Sequence, residues 1–118
     1  MTLQECYEKM GGDYEEVLAR LISQERITKY MVKFLEDPTY HTLCEAKAAE
    51  DHKAVFLHIH TLKGVSQNLG FGNLYRASYE MTEAVRGGVL QYWFIYDTIK
   101  KMQEISLQTI LNDRYTHA

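Results

Sequence analysis

Apolar residues return every three or four positions along most of this chain, in blocks separated by glycines, a proline or an aspartate. Leu3, Cys6, Tyr7 and Met10 form one short amphipathic series, ended by Gly11-Gly12. Asp13 suits the N-cap of a second series carrying Val17, Leu18, Leu21 and Ile22. The period runs on through Ile27, Tyr30, Met31 and Phe34 to about Glu36, so residues 13–36 read as one long helix or as two with a bend near Ser23. Asp37-Pro38 is a restart signal, because Asp is a favoured cap and Pro in the first helical position loses no hydrogen bond. The stripe that follows, Tyr40, Leu43, Cys44 and Lys47, is thin. A stronger pattern begins at Asp51 or His52 and ends at Leu69, where Gly70 and Gly72 flank Phe71 and permit a left-handed cap and a tight reversal. Leu74, Ala77, Ser78, Met81 and Val85 mark the next helix, stopped by Gly87-Gly88; Ile95, Ile99, Met102 and Ile105 or Ser106 mark the last.

Short connections between consecutive helices favour antiparallel neighbours. The pattern therefore predicts an all-α, antiparallel up-and-down four-helix bundle of residues 38–50, 52–69, 73–87 and 91–113, with additional N-terminal helices of residues 2–36 capping one end. A chain of 118 residues is long enough for one core and too short for two, so residues 1–118 read as a single domain.

A net charge of −3 with no clustered Lys and Arg argues against nucleic acid as the main partner. No apolar run approaches a membrane span, and the start MTLQECYEKM lacks a basic segment followed by an apolar one. No membrane or export segment is expected, which makes the reducing cytoplasm the expected compartment. Cys6 and Cys44 have no metal-like spacing, and each suits a small buried hydrophobe rather than a disulfide.

The chemistry concentrates in the helix of residues 52–69. At ~100° per residue, Val55, Ile59, Leu62, Ser66 and Leu69 share the side that should be buried, whereas His60, Lys63, Gly64 and Gln67 line a stripe facing solvent. A neutral imidazole, with an ordinary pKa of about 6.5, is a good nucleophile, and its attack on phosphorus would give a reactive phosphoramidate. Lys63, one turn on, is placed to screen the charge that arrives. Glycine inside a helix costs about 0.5–1 kcal/mol relative to alanine. Gly64 is accounted for if it leaves room for another protein to approach His60. Phe56 and Leu57, within roughly 60° of His60 on the wheel, would with Phe71 form an apolar skirt suited to docking. Gln67 fits a plain surface residue as well as a partner contact. His58 falls at the boundary of the apolar face, and the spacing of His52, His58 and His60 argues against a metal cluster, because residues two apart on a helix face different ways. The chain shows no phosphate-binding glycine loop and no Walker-type lysine. It reads as half of an active site, completed by a partner.

His60-Thr61-Leu62-Lys63-Gly64, trailed by Gln67-Asn68-Leu69-Gly70, closely resembles the signature of the histidine-containing phosphotransfer (Hpt) domain. The resemblance implies that His60 carries a phosphoryl group between receiver-domain aspartates in a two-component phosphorelay, that Lys63 supports its charge, and that Gly64 lets a receiver dock close. It implies response regulator receiver domains and a hybrid sensor histidine kinase as partners, a monomeric stoichiometric carrier rather than an enzyme, and no cofactor or metal of its own, with Mg²⁺ supplied by the receiver. In some members a polar side chain on the following helix orients the acceptor histidine; Thr82 or Glu83 lies near that place. The alternative is a helical adaptor that docks receiver or kinase domains without being phosphorylated. The conjunction of His60, Lys63 and Gly64 weighs against it, since an adaptor needs neither nucleophile nor cation. An autonomous hydrolase or kinase lacks its ATP or metal motif.

Overall fold

Local signals in the sequence start and stop most of the helices. The computed structural model describes residues 2–87 and 93–117, with side chains over 2–87 and 96–112. Seven helices are described: α1 (Leu3–Lys9), α2 (Tyr14–Leu21), α3 (Gln24–Glu36), α4 (Thr39–Ala48), α5 (His52–Leu69), α6 (Gly72–Arg86) and α7 (Trp93–His117). Thr2 and Glu5 close a reciprocal capping box on α1, and Asp13, Ser23 and Asp51 cap α2, α3 and α5 by accepting backbone N–H bonds. Pro38 sits in helical conformation at the head of α4, and Asp37 Oδ1 accepts the Thr39 N–H at 2.8 Å. The segment 13–36 is two helices, divided at Ile22 (φ +81°) and restarted by the Ser23 cap. The expected start of the last helix at residue 91 lies outside the described residues, and its end runs past 113.

α4, α5, α6 and α7 form the antiparallel bundle that the patterning predicts. α5 packs on both α4 and α6, and α6 on α7. The ring of helices closes where Tyr96 of α7 donates its hydroxyl to Cys44 Sγ at 3.1 Å and the Lys47 ammonium lies 4.6 Å over the Tyr96 ring. Leu43, Val55, Ile59, Leu62, Leu74, Met81 and Ile99 fill the interior. Among the described residues, no helix is long and apolar enough to cross a membrane.

The N-terminal helices cover the α5–α6 reversal, as expected of a cap. Gly70 adopts φ +74°, which permits its N–H to reach Gln67 O and that of Phe71 to reach Ser66 O, a Schellman turn. Arg20 of α2 donates to the carbonyls of Asn68 (2.6 Å) and Gln67 (3.2 Å). The buried Tyr7 hydroxyl donates to Leu69 O at 2.7 Å, and the Asn73 N–H to Met10 O at 2.9 Å. At Gly12 a side chain would collide with the Gly70 carbonyl, so the α1–α2 loop can lie directly on the turn only without one.

Phe71 departs from expectation. It is fully buried, edge-on to Phe34 of α3 with ring centroids 5.0 Å apart and tilted against Tyr7 of α1 at 6.1 Å. The turn looks exposed in the local pattern, but the cap folds over it.

Candidate functional site

One face of α5 belongs wholly to the core. Its buried residues are Val55, Ile59, Leu62, Ser66 and Leu69, the five that the helical period selects. Ser66 is tolerated there because its hydroxyl donates to Leu62 O at 2.7 Å. The opposite stripe carries His60, Gly64 and Gln67, all exposed, and Lys63, half-buried. His60 therefore stands near the middle of an 18-residue helix, presented outward by five buried anchors behind it.

Around His60 the surface is mixed. Phe56, one turn earlier and half-buried, lies nearly parallel to the imidazole, with planes 15° apart and centroids 6.1 Å apart. Leu57 is 59 % exposed, unusual for so large an apolar side chain. A Cβ built on Gly64 would meet nothing within 4 Å, so no packing requirement explains this glycine. The Lys63 ammonium lies over the Tyr79 ring of α6. Arg86, also on α6, places its guanidinium carbon 5.7 Å from the centroid of Phe56 and pairs with Glu83 at 2.8 Å. Gln67 lies apart, lining a cleft of about 300 Å³ with Asp13, Glu16, Tyr75 and Arg76. Phe71 lies in the core and cannot belong to an exposed skirt.

His58 is half-buried at the α4–α5 boundary, its Nδ1 3.4 Å from Thr42 Oγ1. Among the described residues, no group of three His, Cys, Asp or Glu side chains could hold a metal ion. Neither α6 candidate for orienting the imidazole bonds it: Thr82 is buried and donates to Ser78 O at 2.7 Å, and Glu83 accepts from Arg86.

Tyr79 and Arg86 have no signal in the α5 motif. They become visible only once α5 and α6 are folded back to back about Phe71, because Lys63 and Tyr79 lie equally far from that turn, as do Phe56 and Arg86. The same register sets His60 opposite Thr82.

A family model for the Hpt domain matches residues 5–105, spanning α2 to α6 entire and most of α1 and the first half of α7. No curated protein and no solved structure matches the chain. Hpt domains are in general phosphocarriers rather than enzymes, and they interact with receiver domains. With the family model matched over most of its length and its histidine-bearing helix presented outward from an all-helical bundle, this chain belongs to the Hpt domain family.

Proposed function

We propose that the chain, acting as one domain and as a monomer in the cytoplasm, is a phosphorelay intermediate that takes a phosphoryl group from one receiver-domain aspartate and hands it to another. In the accepting step the unprotonated ring nitrogen of His60 attacks phosphorus. The N–P bond forms as the bond from phosphorus to the aspartyl oxygen breaks, the carboxylate leaves, and the imidazole releases its N–H proton to solvent. Lys63 supplies positive charge one turn away. The receiver would bring its own acidic pocket and Mg²⁺, as the resemblance to the family implies. A hybrid sensor histidine kinase is the expected source of the first phosphoryl group.

The observation that carries this reading is the conjunction at one place of an exposed His60, Lys63 on the next turn and open space over Gly64. Leu57 and Phe56 give the same face apolar area for docking.

The test is incubation with receiver domains phosphorylated with labelled phosphate. Wild type should take up label that is acid-labile and base-stable, as a phosphoramidate is. His60→Gln should take up none, with helicity and thermal midpoint nearly unchanged, because the replaced side chain is exposed. Label persisting in His60→Gln would overturn the assignment, and receiver binding without any labelling of wild type would favour the adaptor.

A further inference from the structure

We infer that Phe56 is the positioning residue for the His60 imidazole, its ring fixing the plane of the nucleophile while Arg86 holds Phe56 from across the α5–α6 seam. This rests on the reading of His60 as phosphoacceptor.

An exposed histidine can rotate about two side-chain torsions, yet in-line attack on phosphorus needs the nitrogen lone pair aimed at the incoming group. A hydrogen bond to the second ring nitrogen is one way to aim it. Here that route is unused. Thr82, level with His60 in the register but buried, donates its hydroxyl to Ser78 O, and Glu83 accepts from Arg86. Among the described residues neither nitrogen of His60 has a hydrogen-bond partner. The ring contact that remains is with Phe56, 6.1 Å between centroids and 15° from parallel, inside the range of offset aromatic stacking.

Phe56 is in turn restrained. It is half-buried, and the Arg86 guanidinium lies over its ring at 5.7 Å, within cation–π reach. Glu83, three residues before Arg86 on α6, holds the guanidinium at 2.8 Å. The chain of contacts Glu83, Arg86, Phe56, His60 thus runs from the last turn of α6 to the imidazole. Its chemical result is an imidazole oriented with both nitrogens left open, so that no protein acceptor selects the tautomer.

The experiment uses Phe56→Leu, which keeps apolar bulk but removes the flat ring, and Phe56→Tyr, which restores it. Two readouts are taken: ring-proton resonances of His60 in the free protein, and single-turnover transfer from a phosphorylated receiver at saturating and subsaturating concentrations. In Phe56→Leu the His60 resonances should lose their ring-current shift, and the saturated rate should fall roughly three- to tenfold, the loss expected of one aromatic pair. Receiver affinity should stay within about twofold, because apolar area is retained. Phe56→Tyr should recover both readouts. Unchanged His60 resonances in Phe56→Leu would overturn the stack whether or not transfer occurs, and a saturated rate equal to wild type would overturn its role in positioning. If wild type itself takes no label, the phosphoacceptor reading fails first and the positioning role falls with it, whereas the resonances still judge the stack alone.

Discussion

Lys63 and Tyr79 meet across the α5–α6 seam, the ammonium 5.6 Å from the ring centroid. The cation one turn beyond His60 is therefore parked on a neighbouring helix, in a contact that contributes only about 0.5–1 kcal/mol at an exposed site. It can leave the ring for a phosphoryl oxygen at small cost. Lys63→Ala should slow phosphoryl transfer on the order of tenfold or more, as loss of a charge-stabilising group does. Receiver affinity should fall by no more than about fivefold, since one surface charge adds little to a standing complex. Single-turnover rates and equilibrium binding on the same variant check the two numbers.

Leu57 separates docking from chemistry. Its side chain is mostly in water, so Leu57→Ala should leave the unfolding free energy within about 0.5 kcal/mol of wild type. Loss of its apolar area from an interface should raise the receiver dissociation constant roughly tenfold while leaving the saturated transfer rate in place. An unchanged dissociation constant would place the interface elsewhere.

Gly64 should show stability and transfer moving in opposite directions. With open space where its Cβ would lie, Gly64→Ala gains about 0.5–1 kcal/mol from helix propensity and a more restricted unfolded chain. The methyl, and more so the side chain of Gly64→Gln, should obstruct a phosphorylated aspartate from reaching His60. A wild-type transfer rate in Gly64→Gln would show that close approach over this residue is not required.

Tyr7 gives the fold an alkaline limit. Burial raises its phenol above the ordinary value of 10.0, and the hydroxyl donates to Leu69 O. Below pH 10 the phenol is neutral in both the folded and the unfolded chain. Above it the unfolded chain releases the proton and the folded one does not, so stability should fall as pH rises past 10. Tyr7→Phe should lower stability by about 1–3 kcal/mol at neutral pH, leaving a buried carbonyl short of a donor. The variant should also show a shallower alkaline decline in denaturation midpoints. Tyr96, pushed up to about 12 by burial and its bond to Cys44, and Tyr40, raised by the same causes, would maintain the remaining slope.

The site helix was legible in the sequence almost residue by residue, because its five buried positions obey the helical period without interruption and its caps, Asp51 and Gly70, are locally determined. α4 was harder to read: Leu43 and Ala46 are buried, but Tyr40, Cys44 and Lys47 lie half in and half out. The break at Ile22 had only the Ser23 cap to announce it, since a β-branched residue at positive φ is one the local pattern disfavours. Phe71 was misplaced for another reason. A phenylalanine between two glycines has no period of its own, and its burial is decided by Tyr7 and Phe34, partners distant in the chain. Tyr79 and Arg86 likewise come beside the candidate site through helix pairing.

An α-helix ends with four carbonyls that it cannot satisfy itself, and helices fray from that end. In α5 all four have donors: Phe71 N–H for Ser66 O, Gly70 N–H and Arg20 for Gln67 O, Arg20 for Asn68 O and the Tyr7 hydroxyl for Leu69 O. Arg20 also sets its positive charge against the negative end of the helix dipole. The last turn can therefore unwind only by breaking its bonds to α1 and α2. Its amide protons should exchange with solvent at rates close to those of whole-molecule unfolding, unlike an ordinary helix end. A partner landing on α5 would meet a helix whose end is already tied down, leaving mainly side chains to order.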